Sequence, residues 1–142
     1  MKLTTYASIA ALLAAPAFAG GHADAEAGAE AFSQCQQCHV VTNDAGEVLA
    51  GRNGRTGPNL YGVIGRQPGS VDGFRYQKAI QELGESVVTA WTAEEIEQYL
   101  LDPTDYLRTK LDDRRARSGM AYKVRAPEDA ANLAAFLATF SE

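Results

Sequence analysis

The stretch from Val41 to Arg75 limits this chain more than any other. It holds Gly46, Gly51, Gly54, Gly57, Pro58, Gly62, Gly65, Pro68, Gly69 and Gly73. Glycine and proline at that density mark turns and leave no room for a regular helix or strand of useful length. A loop this long inside a compact domain usually wraps something. What it wraps is suggested by the residues just ahead of it, Cys35-Gln36-Gln37-Cys38-His39.

C-x-x-C-H reads as a site of covalent haem attachment. Residues i and i+3 at the end of a helix project to the same side. Both thiols can therefore reach the two vinyl groups of one porphyrin and form thioethers, and His39 follows under the ring, where its imidazole can bind iron. Other uses of the pair fit less well. A thioredoxin-like C-x-x-C needs a surrounding βαβ pattern, and none is visible. A structural zinc needs four ligands, against Cys35, Cys38, His39 and the distant His22. A disulfide would leave His39 unexplained.

The N-terminus fits an oxidising destination, where such chemistry is at home. Lys2 is the sole charge before Asp24, an apolar run spans Ala7 to Ala15, and Pro16 precedes Ala17-Phe18-Ala19. This is the layout of a secretory signal peptide over residues 1–19, cut after Ala19. The run is too short to span a bilayer, which takes roughly 20 apolar residues. A single domain, residues 20–142, is expected in the periplasm. Loss of Lys2 takes the formal charge from −5 to −6, which argues against nucleic acid as a partner.

Helical signals occupy most of the remainder. Asp24 can cap a helix over residues 24–38, and a short helix over 75–82 should stop near Gly84. Thr92 and Glu95 match a capping box that opens a helix to Leu101. Pro103 suits the first turn of another helix to Leu111. Residues 112–126 read as basic loop. Pro127 opens the last helix, whose Leu133, Phe136, Leu137 and Phe140 share one apolar face. No convincing strand alternation appears. The fold class is all-α, with about four to five helices and long loops around one haem.

Beyond residue 19 the chain has one methionine, Met120, in Arg117-Ser118-Gly119-Met120-Ala121-Tyr122. A thioether suits haem iron and raises its potential, whereas a core gap-filler would not sit among small residues in a basic loop. Met120 is the favoured sixth ligand; His22, near the terminus, is the rival. With both axial positions filled, the iron has no open site for oxygen or peroxide chemistry. Outer-sphere electron transfer remains, and no enzymatic activity is expected; a small peroxidase whose Met120 leaves on activation is the alternative.

Cys35-x-x-Cys38-His39, then Thr56-Gly57-Pro58-Asn59-Leu60, then Met120 in late position make residues 24–140 resemble class I cytochrome c. The stretch Ala50 to Gly62 is most similar to the bacterial cytochrome c2 group. The resemblance implies one haem c, with His39 and Met120 on the iron. It implies that the Pro58 carbonyl accepts the other ring N–H of His39, that Arg66 lies near a haem propionate, that Tyr76 and Trp91 hydrogen-bond propionate, and that Tyr99 lies beside the methionine sulfur. It also implies that Gly28 and Phe32 meet Leu133, Phe136 and Leu137 of the last helix. Compared with mitochondrial members, the chain has extra residues around Asn43–Gly54 and Arg108–Ser118.

Charge is unevenly distributed. Five acids and no Lys or Arg lie between Gly21 and Ala50, while Arg108, Lys110, Arg114, Arg115, Arg117, Lys123 and Arg125 bracket Met120. Such a dipole would steer the haem edge toward negative surfaces. The resemblance suggests a cytochrome bc1 complex as donor and a photosynthetic reaction centre or terminal oxidase as acceptor, each met by a monomer through the basic face Arg108–Arg125.

Overall fold

The structure is a computed structural model and describes residues 22–141; the expected signal peptide, residues 1–19, lies outside them. Five helices account for most of the regular structure: α1 (Ala25–Ala31), α2 (Lys78–Ser86), α3 (Ala93–Leu101), α4 (Pro103–Leu111) and α5 (Pro127–Ala138). Among the described residues, no helix is long and apolar enough to cross a membrane.

Local chemistry explains most boundaries. The Asp24 carboxylate accepts from Glu26 N at 2.8 Å and Ala27 N at 3.3 Å, which caps α1. The expected helix over 24–38 is broken up: α1 gives way to a 3-10 turn, Phe32–Gln34, and the chain then turns through the cysteines. Thr92 accepts from Glu95 N at 3.1 Å, one half of the capping box; the Glu95 side chain is engaged elsewhere. Pro103 occupies the first turn of α4, and Asp102 caps it through Asp105 N at 3.0 Å. Helix α2 runs through Gly84 to Ser86 and does not stop there. A Cβ at Gly84 would lie 2.2 Å from the Pro68 carbonyl oxygen, so this glycine permits close approach inside a helix.

Contrary to the expectation of no strands, a small antiparallel hairpin forms from β1 (Val40–Thr42) and β2 (Val48–Gly51). Val40 faces Gly51, Val41 faces Ala50 and Thr42 faces Val48, with an irregularity between Val41 and Thr42. The turn closes through Gly46 N to Asn43 O at 2.9 Å, with Gly46 at φ 80°, a conformation glycine adopts without a Cβ clash. This hairpin makes up most of the extra segment around Asn43–Gly54.

The most extensive helix contact joins α1 to α5, followed by α3 to α5. Gly28 makes the first contact feasible: a Cβ there would lie 2.0 Å from Asn132 O. Buried Asn132 also accepts from Asp24 N at 2.7 Å. Phe32 stacks on Phe136 at a centroid separation of 5.4 Å. The core includes Phe32, Val41, Leu83, Trp91, Leu107, Leu133 and Leu137.

Candidate haem site

The two cysteines and His39 sit on a turn fixed by the backbone. Cys38 N and His39 N both donate to Cys35 O, at 3.0 and 2.9 Å. Both thiols are unpaired, Cys35 partly buried and Cys38 exposed. Burial, reinforced by the neighbouring Cys38, pushes the Cys35 thiol up to about 11, so it is protonated at neutral pH.

His39 is held from two directions. Its Nδ1 donates to the Pro58 carbonyl at 2.8 Å, and Gly57 packs flat against the ring. A Cβ at Gly57 would come within 2.3 Å of Cε1 and 2.7 Å of Nε2. Burial lowers the affinity of the imidazole for a second proton, against the opposing pull of the Pro58 bond. A neutral ring with Nδ1 engaged presents the Nε2 lone pair as its metal-binding group.

The glycine-rich segment is tied to this turn by several bonds. Gly57 N donates to Cys38 O at 2.8 Å and Leu60 N to Val40 O at 2.9 Å. Asn59 fastens the hairpin: its side chain accepts from Thr42 N at 3.0 Å and donates to Thr42 O at 2.7 Å. Arg66 donates to Tyr61 O at 2.7 Å and Asn59 O at 2.9 Å. Burial lowers the Arg66 pKa while Tyr76 pulls it back up. Tyr76 is itself raised by burial, and Val71 N donates to its hydroxyl at 3.4 Å. Trp91, 6% exposed, exchanges backbone bonds with this segment: Gly65 N to Trp91 O at 2.7 Å and Trp91 N to Arg66 O at 2.9 Å.

The methionine segment has its own set of anchors. Tyr99 shares a 2.7 Å hydrogen bond with Ser118 Oγ, and that oxygen accepts from Met120 N at 3.0 Å. Ser118 N donates to Thr104 Oγ1 at 3.2 Å. Tyr99, whose pKa is raised by burial, also stacks with Trp91 and Tyr106 at 5.3 and 5.6 Å. Val124 N donates to Leu100 O at 2.8 Å, and Lys123 pairs with Asp102. Tyr122, two residues past Met120, donates to Gln34, the residue before Cys35. His22 is exposed ahead of α1, outside this network.

Ser118, Asn59 and Gly57 lie within the motifs the sequence marks but carry no individual role there, and Gln34 has no sequence signal. Serine and asparagine partners depend on which distant backbone they meet. Gly57 gave a signal as loop punctuation, but not that it backs an imidazole.

Two free thiols one turn apart, a half-buried neutral imidazole with one nitrogen engaged, and a thioether on an anchored loop suit an iron porphyrin. They define a c-type haem protein of helical fold. No family model matches the chain. It is 48% identical over 116 residues to cytochrome c2 of Rhodovulum adriaticum, covering 82% of this chain and 91% of that protein. It is 46% identical to cytochrome c2 of Cereibacter sphaeroides over 137 residues, covering 96% and 93%. The crystal structure of Rhodobacter sphaeroides cytochrome c2 superimposes with a TM-score of 0.80 at 44% identity, covering 83% of this chain and 96% of that one. Ferric cytochrome c-550 from Paracoccus versutus gives 0.77 at 36%, covering 84% and 98%. The chain belongs to the cytochrome c2 family, electron carriers with one covalently attached haem c and no enzymatic activity.

Proposed function

We propose that this chain is a periplasmic monomer that carries single electrons through haem c, with thioethers from Cys35 and Cys38 and axial bonds from His39 and Met120. The haem supplies reversible one-electron exchange at its iron. The chain holds and insulates it. Pro58 and Gly57 fix the imidazole plane, and the bond from His39 to the Pro58 carbonyl makes the ring a stronger donor. Tyr99 and Ser118 hold the Met120 backbone. Arg66 and Tyr76 lie on the glycine-rich loop, Trp91 is bonded to it from beyond α2, and the three would supply charge and hydrogen-bonding groups near the propionates. The donor is a cytochrome bc1 complex and the acceptor a photosynthetic reaction centre or terminal oxidase, approached through the basic face around Arg108–Arg125.

The observation that carries this reading is that both candidate ligands have their own positioning groups, Pro58 and Gly57 for His39 and Ser118 with Tyr99 for Met120. Ligands fixed in this way move little on a redox change. The test is an optical spectrum and redox titration of the exported protein beside Met120→Ala. The native ferric protein should show the far-red band of methionine-ligated haem and a positive potential, and the variant should lose the band and fall in potential. A native ferric iron that binds added imidazole or peroxide without delay would overturn the carrier reading in favour of a peroxidase.

A further inference from the structure

The chain has two histidines. With His39 assigned to iron, His22 is the imidazole that the carrier reading does not use. Its place in the sequence is specific. A cut after Ala19 at the A-x-A site makes the mature chain open Gly20-Gly21-His22. The histidine then stands third from a new α-amine, and both residues before it are glycine.

That register has a chemical meaning. The α-amine nitrogen, the amide nitrogens of the second and third residues, and the imidazole Nδ1 of the third follow one another along the chain. Together they can close short fused chelate rings around one metal. Their four nitrogens form a plane, the geometry Cu(II) and Ni(II) favour, whereas Zn(II) prefers a tetrahedron. Between these two ions copper binds the more tightly. Proline at the second or third place would lack the amide proton that must leave. Glycine keeps that proton and sets no Cβ beside the metal plane.

The fold leaves this terminus available. Gly20 and Gly21 precede the described residues. His22 is exposed, and its backbone N–H and imidazole make no hydrogen bond among the described residues. Tertiary structure takes hold two residues later, where Asp24 N donates to Asn132 Oδ1 at 2.7 Å and the Asp24 carboxylate caps α1. That carboxylate is committed to the helix. Among the described residues, no group of three or more His, Cys, Asp or Glu side chains could hold a metal ion, so backbone nitrogens must supply most of the donors. Eleven positions separate Asp24 from Cys35, roughly 16 Å at the rise of a helix, which keeps this terminus apart from the haem turn.

We propose that the processed terminus Gly20-Gly21-His22 is a square-planar Cu(II) site distinct from the haem. It rests on the exported, processed form of the carrier. On binding, the α-ammonium and the two amides each release a proton to solvent, and copper stays Cu(II) throughout. Affinity therefore rises with pH. The precursor has no α-amine at Gly20, so the site comes into being only on cleavage.

The test uses exported holoprotein, in which thioether formation and iron ligation occupy Cys35, Cys38 and His39. Intact mass should identify Gly20 as the first residue. Copper(II) sulfate is added with excess glycine as competitor, the protein is desalted, and retained copper is measured beside the EPR spectrum of the ferric protein. A single equivalent should be retained, with an axial Cu(II) signal split by four nitrogens and an unchanged haem spectrum. His22→Ala should lose both the copper and the signal. Insertion of one glycine after Gly21 should lose them too, because it keeps the imidazole and shifts it to fourth place. A different first residue, no retained copper, or equal retention by the insertion variant would overturn the proposal. Copper held as expected by a protein whose haem shows no methionine band would leave the site standing and overturn the carrier reading instead.

Discussion

Replacing Gly28 by alanine sets two known effects against each other. Within a helix, alanine is favoured over glycine by about 1 kcal/mol, so α1 taken alone would gain. Against that, the new Cβ would lie 2.0 Å from Asn132 O, 2.6 Å from Asn132 C and 2.7 Å from Phe136 Cβ. Two of these atoms are backbone and the third is fixed to it, so no side chain can swing away. Restoring an ordinary contact means moving from 2.0 to at least 3.4 Å, a separation of 1.4 Å between helices. Overpacking of this kind costs about 1–3 kcal/mol, and the rigid obstruction places it near the top of that range. The shift would also pull Asp24 N from Asn132 Oδ1, now at 2.7 Å. The net expected loss is about 2 kcal/mol, the difference between overpacking and propensity. In urea, with a slope of about 2 kcal/mol per molar, the midpoint of the holoprotein should fall by roughly 1 M. Glu30→Ala, an exposed site in the same helix, should change it by less than about 0.5 kcal/mol. A Gly28→Ala midpoint equal to or above the native one would refute the reasoning, because it would show that α1 and α5 separate without penalty.

Gly57→Ala should displace the imidazole, since the new Cβ meets three His39 ring atoms within 2.7 Å; a normal six-coordinate haem spectrum in the variant would contradict this. Tyr122→Phe removes the bond to Gln34 that links the methionine segment to the cysteine turn, so added imidazole should enter the ferric iron about threefold faster, as expected for losing part of a ~1 kcal/mol bond. Glu95 is raised by burial, but hydrogen bonds from Tyr106 and Lys110 outweigh this and hold it below its ordinary 4.5. Because the folded pKa is depressed, the stabilisation is present above that value and is lost as pH falls through the folded one. Glu95→Gln should therefore be less stable than the native protein at pH 7, with the gap closing below about pH 4.5; a gap that persists in acid denaturation curves would exclude the ionic contribution.

The helices that the sequence marked best are those with chemical punctuation at both ends. Thr92 opens α3 and Pro103 opens α4 as their side chains require. Glycine was the harder signal, because it serves two purposes. At Gly84 it reads as a stop, yet it admits the Pro68 carbonyl against a continuing helix. The hairpin escaped notice because its strands have three and four residues, too few for alternation to show; Val40-Val41-Thr42, followed by Asn43 and then Gly46, was the available cue. At the proposed site, the cysteines, His39 and Met120 are marked as candidates by residue type. The supporting bonds do not. Ser118 meets Tyr99 and Thr104 across 19 and 14 positions, and nothing local to a serine reveals such partners. The basic run likewise hid a division of labour, since only packing shows that Lys110 and Lys123 are already occupied.

The union of α1 with α5 bears on how the molecule assembles. The bond from Asp24 to Asn132 spans 108 positions, and closing a loop of that length carries an entropic penalty of about 4 kcal/mol on the logarithmic scale for flexible chains. During synthesis, which runs from the N-terminus, the first helix must wait for the last to emerge before it finds its partner. Until then Cys35 and Cys38 sit on a segment without its main support, so cofactor attachment and final closure are separable events in time.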